Sequence, residues 1–254
     1  MRLYLASTSP ARLATLRSAG IEPSLLASHV DEDAAVAAAT AASGPLTGPD
    51  MVLLLARLKA EAVVGRLVDG EPIDGFILGG DSAFELDGAL YGKPLLPEVA
   101  RERWLKQRGR EGLLHSGHWL IDHRAGPGSG GVGSDGDGDG AGVSAGAGVY
   151  VSSVVASGLG SVVGSGVGSV STTSVRFAAD ITDEEIDAYI ATGEPLNVAG
   201  AFTIDSLGAP FISEVRGDPH AVVGLSLAQL RQLLLEFGVH WPSLWNRERT
   251  SPAR

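Results

Sequence analysis

Apolar residues near the N-terminus follow first a strand-like and then a helix-like spacing. Leu3-Tyr4-Leu5 predicts a short buried strand that leads into Ser7-Thr-Ser-Pro-Ala-Arg12. Ser9 is typical of a helix N-cap, and Pro10 suits the first helical position, where no N–H donor is needed. Gly20 is expected to end this helix.

Strand-like and helix-like segments continue to alternate along the chain, which favours an α/β fold. Asp87-Gly88 predicts the turn of a hairpin over residues 84–94. Further strands are expected around 24–27, 76–78, 115–123, 171–177 and 201–204. Further helices are expected over 34–42, 51–64, 98–107, 182–191 and 227–237.

The apolar run 76–78 passes directly into Gly79-Gly80-Asp81-Ser82. Two consecutive glycines predict the end of the strand, so Asp81 is expected where a strand meets a loop. Ligands of open α/β sheets bind at the carboxyl ends of strands. Asp81 is therefore a candidate functional residue, and an ordinary turn aspartate is the alternative.

Residues 124–168 break this periodicity. They consist largely of Gly, Ser, Ala, Val and Asp, with one candidate strand over 149–155. Such a composition predicts an expanded Gly-rich hairpin loop, inserted into a single domain that spans residues 1–245. Residues 246–254 are expected to form a frayed tail.

Two short motif matches fall inside the Gly-rich insertion. Gly131-Val-Gly-Ser-Asp-Gly136 spells G-x-G-x-x-G, but no predicted strand precedes it and no predicted helix follows. Asp135, Asp137 and Asp139 match the start of an EF-hand loop, yet Gly146 stands where its final glutamate is required. Composition explains the first match, and a weak surface cation site remains the alternative for the second.

The overall charge changes which partners are expected. The formal net charge is −11, and the chain contains no cysteine. An acidic chain is unsuited to nonspecific binding of nucleic acid or of anionic membranes, and thiolate chemistry is excluded. The N-terminal apolar run is too short for a signal-peptide core, so a cytoplasmic protein without membrane segments is expected.

Several charged and hydroxyl residues could together bind phosphate and a metal ion. Ser7, Ser9 and Arg12 surround a predicted helix N-terminus, where free amides and the helix dipole favour an anion. Glu32 and Asp81 could supply carboxylates to hydrated magnesium, and Arg12, Lys59 and Lys93 could hold phosphates. Ordinary helix capping is the alternative for the serines and for the acidic cluster at 31–33.

Two histidines give no such signal. His115 and His118 lie three residues apart on a predicted strand, which places them on opposite faces. That geometry is poor for sharing one metal ion, so both are interpreted as structural.

The order of these segments resembles the Maf family of nucleoside triphosphate pyrophosphatases. The matching segments are Leu5-Ala-Ser-Thr-Ser-Pro-x-Arg12, Val30-Asp-Glu-Asp33, Leu58-Lys-Ala60, Gly80-Asp-Ser82, Gly92-Lys-Pro94 and Gly193-Glu-Pro-Leu with the following Ala-Gly-Ala201. Residues 1–123 and 169–240 carry the resemblance, and the Gly-rich insertion has no counterpart in the usual pattern.

The resemblance implies an α/β fold with a mixed twisted sheet, flanking helices and a deep cleft. It also implies metal-dependent hydrolysis of a nucleoside triphosphate to the monophosphate and pyrophosphate, with Mg²⁺ or alternatively Mn²⁺. The family's catalytic aspartate falls on Asp81, and its phosphate-binding and metal-supporting positions fall on Ser7, Arg12, Glu32, Lys59 and Lys93.

Departures from the family pattern affect the expected substrate. Ala11-Arg12 replaces a frequent pair of arginines, and Asp205 lies where many members carry glutamine in a Gly-Ile-Gln-Gly segment. An ionised Asp205 offers only acceptors to a nucleobase, whereas glutamine offers a donor as well. Pyrimidine nucleotides such as dTTP and UTP, or modified nucleotides, are the expected substrates. The competing hypothesis is a nucleotide-binding regulator of cell division without turnover, and a homodimer is compatible with either.

Overall fold

The computed structural model describes residues 1–124, 149–155 and 162–246. Ten strands are present in these ranges: β1 (Leu3–Leu5), β2 (Ser24–Leu25), β3 (Leu67–Val68), β4 (Glu71–Pro72), β5 (Gly75–Leu86), β6 (Ala89–Tyr91), β7 (Glu111–His123), β8 (Val149–Val155), β9 (Val162–Phe177) and β10 (Ile212–Arg216). The same ranges contain seven α-helices: α1 (Pro10–Ser18), α2 (Glu32–Ser43), α3 (Gly48–Glu61), α4 (Pro97–Gln107), α5 (Asp183–Ala191), α6 (Pro219–Val223) and α7 (Leu227–Glu236).

Eight of these strands form one mixed sheet, in the order β10-β9-β7-β5-β1-β2, with β6 added to β5 and β8 added to β9. β1 runs parallel to both β2 and β5, whereas the remaining pairs in the sheet are antiparallel. Helices cover both faces: α3 packs on β5 and β7 from one side, and α7 packs on β7 and β9. The predicted mixed α/β architecture is confirmed.

Two local predictions near the N-terminus and the hairpin are confirmed. Ser9 caps α1, with Pro10 at its first position. The β5–β6 hairpin turns at Asp87-Gly88, where both residues adopt positive φ angles of 53° and 76°. Such a pair of left-handed residues matches the right-handed twist of the strands that it connects.

The predicted strand end before Asp81 is wrong, because β5 continues without a break from Gly75 to Leu86. Pairing with β7 extends from Gly75 to Glu85, so Asp81 lies in the middle of a strand. Gly79 is required by packing: an added Cβ would come within 2.0 Å of the carbonyl oxygen of Ala56 on α3. The glycines therefore mark a close helix–strand approach, not a turn.

One edge of β5 is open around Asp81. β1 pairs with β5 over residues 76–78, and β6 pairs with it over residues 84–86. Within the described part of the chain, no strand pairs with residues 79–83 on that edge. We call this opening the β5 gap, and it brings Asp81 to the boundary between the sheet and its surroundings.

The loop predicted over residues 124–168 extends too far at its C-terminal end. β9 begins at Val162 and pairs with β7 from Gly166 onward, and the predicted strand 149–155 is present as β8. Gly166 and Gly168 face the Trp119 indole, where an added Cβ would approach ring atoms to 2.6 and 2.3 Å. Glycine in this strand makes room for an aromatic ring. The two motif matches at 131–146 lie outside the described residues.

Two C-terminal predictions also need correction. The expected strand 201–204 is absent, because Gly200 and Ala201 adopt positive φ angles of 73° and 64° within a 3-10 turn. Gln107 Nε2 and Trp104 Nε1 donate to the carbonyls of these residues, both at 2.7 Å, which holds the turn. Asn246, expected in a frayed tail, donates its backbone N–H to the Gly20 carbonyl. Residues 247–254 lie outside the described residues.

No helix within the described ranges is both long enough and apolar enough to cross a membrane.

Candidate active site in the β5 gap

Ser7 and Ser9 fold the connection between β1 and α1 around Arg12. The Ser9 N–H donates to Ser7 Oγ at 3.1 Å, and Ser9 Oγ accepts from the Arg12 N–H at 3.4 Å. Arg12 Nη1 donates to Ser7 Oγ at 3.2 Å, and Arg12 Nε donates to the Gly224 carbonyl at 2.8 Å. The guanidinium is therefore buried and fixed at the N-terminus of α1.

A pair of serines holds the remaining nitrogen of Arg12. Arg12 Nη2 donates to Ser82 Oγ at 3.1 Å, and Ser82 Oγ lies 2.9 Å from Ser116 Oγ. Ser116 Oγ donates in turn to the carbonyl of Ala221 at 2.7 Å, so the Ser82 hydroxyl is the donor to Ser116. The sequence interpretation missed both serines. The motif around Asp81 contains Ser82, but no sequence signal indicates Ser116 in the middle of β7.

Lys59 connects the two candidate metal-binding carboxylates. Its Nζ lies 2.6 Å from Asp81 Oδ1 and 2.7 Å from Glu32 Oε1. The side chains of Lys59 and Asp81 are only 10% and 11% exposed, whereas that of Glu32 is 51% exposed. The expected grouping of these three residues is therefore present, with Glu32 at its solvent side.

The two cations approach Asp81 from opposite faces of β5. Alternate residues of a strand point to opposite faces, so Lys59 contacts Asp81 on the α3 face while Arg12 contacts Ser82 on the other. Burial raises the pKa of Asp81 above its usual value, and the positive charges of Lys59 and Arg12 offset this only in part. Burial likewise lowers the pKa of Arg12, although an arginine remains protonated.

The donor set suits a hard divalent cation. Carboxylate oxygens are the protein ligands that magnesium prefers, and it commonly uses one or two of them together with water and substrate phosphates. Glu32 and Asp81 both form ion pairs with Lys59 Nζ, so their carboxylates lie close enough together to bind one ion. No group of three or more His, Asp or Glu ligands occurs among the described residues. A cation held by Glu32 and Asp81 would take its remaining ligands from oxygens other than carboxylates.

Lys93 and Asp205 lie outside the buried cluster, and both are exposed. β6 runs antiparallel to β5 with Tyr91 opposite Phe84, so the chain leaves β6 in the direction of Asp81. Lys93 follows Tyr91 by two residues, on the side of the hairpin that leads toward the β5 gap. Asp205 lies in the loop 203–208. The structure shows no contact of either side chain with Asp81.

The two histidines are structural and face opposite sides of β7, as predicted. His115 Nε2 lies 3.0 Å from Glu85 Oε2, and its Nδ1 lies 2.9 Å from Thr172 Oγ1. His118 Nε2 accepts from the Ser226 N–H at 2.9 Å. Burial, and then the charge of Arg12, lower the pKa of His118 to about 4.

The β5 gap thus combines a buried carboxylate with a cation on each face of the sheet, a charge arrangement that suits the binding of a polyanion. A family model described as Maf-like protein matches residues 2–134 and 144–237. The chain belongs to the Maf family, which confirms the resemblance of its motifs. The match also reaches into the Gly-rich segment, of which only residues 135–143 fall between the matched ranges.

Individual relatives agree with this family membership. A protein of Leifsonia xyli subsp. xyli (strain CTCB07), named nucleoside triphosphate pyrophosphatase, is 58% identical over 99% of this chain and 100% of the relative. Proteins with the same name from Salinispora tropica and Streptomyces coelicolor are 42% and 38% identical. They cover 97% and 96% of this chain, and the alignments span 88% and 94% of these relatives.

Proposed function

We propose that the protein hydrolyses nucleoside triphosphates to the monophosphate and pyrophosphate, in the cytoplasm, with Mg²⁺ or alternatively Mn²⁺ as its cofactor. The observation that carries the proposal is Asp81: a buried carboxylate in the middle of a strand, 2.6 Å from Lys59 and flanked by Arg12. Family membership and the names of the relatives support the same activity.

The residues divide the chemistry between them. Arg12, Lys59 and Lys93 bind phosphate oxygens and neutralise the charge that develops as pyrophosphate leaves. Asp81 has two alternative roles: as a base it would take the proton of the attacking water, which its raised pKa suits, and as a ligand it would hold the cation. Ser7 and Ser82 keep the Arg12 guanidinium oriented.

Glu32 and Asp81 would hold the divalent cation on the α3 side of the gap. When bound, the cation supplies charge neutralisation of the triphosphate and lowers the pKa of a coordinated water. Lys59 contacts both carboxylates, so it keeps them close together and balances their charge.

We further propose a preference for pyrimidine triphosphates, dTTP and UTP, or for modified nucleotides. Its support is the resemblance of the motif segments to those of Maf proteins. Asp205, which replaces the glutamine of many members, is the residue of this chain that bears on the base.

Product analysis tests the activity directly. Purified protein is incubated with magnesium and a panel of canonical and modified nucleoside triphosphates, and the products are identified by ³¹P NMR. We expect monophosphate and pyrophosphate. Diphosphate with orthophosphate would place cleavage at the γ-phosphate and contradict the proposal. Binding without any turnover would favour the alternative, a nucleotide-binding regulator of cell division.

A further inference from the structure

The carboxylate of Glu194 organises the loop 203–208. Glu194 begins the 3-10 turn Glu194–Asn197 that follows α5. Among the described residues, its two oxygens accept hydrogen bonds from the hydroxyls of Tyr189 (2.9 Å), Thr203 (2.5 Å) and Ser206 (2.7 Å) and from the N–H groups of Leu207 (3.3 Å) and Gly208 (3.1 Å). Four of these five donors belong to the loop, so a single side chain fixes its shape.

Glu194 is ionised in this position. Its burial alone would raise its pKa, but hydrogen bonds from Thr203, Ser206 and Tyr189 lower the pKa below the usual value of a glutamate. Hydrogen bonds to a charged acceptor are stronger than those to a neutral one. The loop is therefore held by charge-assisted bonds, and a neutral replacement would weaken all of them.

The same turn also fixes the segment that carries Lys93. The Leu95 N–H donates to the Leu196 carbonyl at 3.0 Å, and the Gly200 N–H donates to the Gly92 carbonyl at 3.3 Å. Leu95 adopts a left-handed φ of 62°, which costs a leucine roughly 1 kcal/mol or more. Contacts with residues 194–200 hold this strained backbone in place.

Both segments border the β5 gap. Gly200 packs so closely on β5 that an added Cβ would lie 2.7 Å from Phe84 Cβ. The ring of Phe202, which directly precedes the loop, lies 5.2 Å from the ring of Phe84. Phe84 is the first residue after the β5 gap and lies on the same face of the strand as Ser82, which Arg12 contacts. The loop therefore begins next to one end of the gap, on the Arg12 face, and Asp205 within it is exposed.

We propose that Glu194 is a positioning residue for substrate discrimination: it fixes loop 203–208 beside the β5 gap, where the loop contacts the nucleoside part of a triphosphate. This inference rests on the proposed function. Arg12 and Lys59, which are buried at the gap, bind the phosphates of the substrate. The loop and the Lys93 segment lie at its entrance, where the base and sugar of a substrate held by its phosphates would extend.

Glu194→Gln is the decisive substitution. Its amide nitrogen would replace one acceptor oxygen, and this nitrogen, itself a hydrogen-bond donor, would face the donors of the loop. We expect KM for the preferred triphosphate to rise about tenfold, a loss of about 1.4 kcal/mol of binding, while kcat falls less than about threefold. The ratio of kcat/KM between the best and the poorest triphosphate should drop about tenfold. A merely structural role would reduce the amount of folded enzyme and leave that ratio unchanged.

Two further variants complete the test. Ser206→Ala removes one donor to Glu194 and should lower the same ratio by a smaller factor. Glu111→Gln is the matched control: this exposed carboxylate also accepts from Ser174, Arg176 and Arg216, but it lies at the start of β7, and its variant should retain the wild-type ratio.

The outcomes separate this inference from the proposed function. If Glu194→Gln folds and keeps the wild-type ratio of kcat/KM between the best and the poorest triphosphate, the inference is wrong. If Glu194→Gln does not fold, an unchanged ratio in Ser206→Ala overturns the inference. If wild-type protein releases no pyrophosphate, the proposed function fails. The role of Glu194 is then judged by the ratio of Kd values for the same triphosphates in wild type and variant.

Discussion

Protonation of His118 should destabilise the part of the fold that holds Arg12. The ring is buried, and its Nε2 accepts from the Ser226 N–H, so the neutral ring carries its proton on Nδ1. Gly224, whose carbonyl accepts from Arg12 Nε, lies two residues before Ser226. A proton on Nε2 would remove the bond to Ser226 and place a second positive charge near Arg12.

The expected loss of stability follows from the pKa values of His118 in the folded and unfolded states. The folded-state pKa of His118 is about 4, whereas an unfolded histidine titrates near 6.5. Above the unfolded value both states are neutral, and as the pH falls from there toward 4 only the unfolded chain gains a proton. Stability is therefore lost progressively across this window, by about 3 kcal/mol in full.

Urea unfolding of wild type and His118→Gln, measured between about pH 7 and pH 4, tests this reasoning. Glutamine keeps an acceptor for the Ser226 N–H but does not titrate. Other ionisable groups contribute almost equally to both proteins, so the difference between the two curves isolates His118. We expect wild type to lose about 3 kcal/mol more than the variant on acidification. Parallel curves would show that His118 titrates normally and would refute a buried neutral ring.

Three further predictions concern the gap and the Gly-rich segment. Asp81→Asn keeps the size of the side chain but removes its charge, and kcat should fall at least about a hundredfold in a steady-state pyrophosphate assay; near-wild-type kcat would make Asp81 a structural residue. Lys59→Met leaves Asp81 without its nearest cation and should lower the free energy of unfolding in urea by about 3 kcal/mol. The double variant Lys59→Met/Asp81→Asn should recover much of that stability, because it also removes the unpaired charge. Replacing residues 125–148 by a short turn should leave kcat within a few-fold, because the described site residues lie elsewhere, and a large loss in a folded variant would contradict this.

Local sequence signals predicted the parts of the site that depend on neighbouring residues. The Ser9 cap places Arg12 in the first turn of α1, and the Asp87-Gly88 turn sets the register that directs Lys93 toward the gap. Both depend on backbone preferences of a few consecutive residues. Such preferences act before any tertiary contact and are therefore visible in the sequence.

The main errors in the predicted secondary structure occurred at glycines, because a glycine that allows close packing and a glycine that forms a turn look alike in a sequence. Gly79 permits the carbonyl of Ala56 to approach β5, and Gly168 permits the Trp119 ring to pack on β9. Both glycines remain in extended strands, whereas the sequence pattern predicted loops. The partners that require them are distant in the chain, so nothing local distinguishes a packing glycine from a turn glycine.

The same limit applies to the residues that hold Arg12. Ser116 is a serine within a mostly apolar strand and carries no motif of its own, and Gly224 contributes only its carbonyl oxygen. Their roles arise because β7 and the α6–α7 connection meet beside α1 in the folded protein. Composition and spacing carry no information about that tertiary contact.

The position of Asp81 within β5 affects how the site can work. A turn aspartate could rotate toward water when its charge is not needed, but β5 is paired with β7 on both sides of residue 81, from Gly75 to Glu85. The backbone is thus fixed, and the carboxylate remains buried at the cost of a raised pKa. Lys59 and Arg12 offset part of that cost from helices on opposite faces. In the proposed reaction, phosphates bound in the gap would share these cations with Asp81, which would weaken the interactions that stabilise the ionised carboxylate and raise its pKa further.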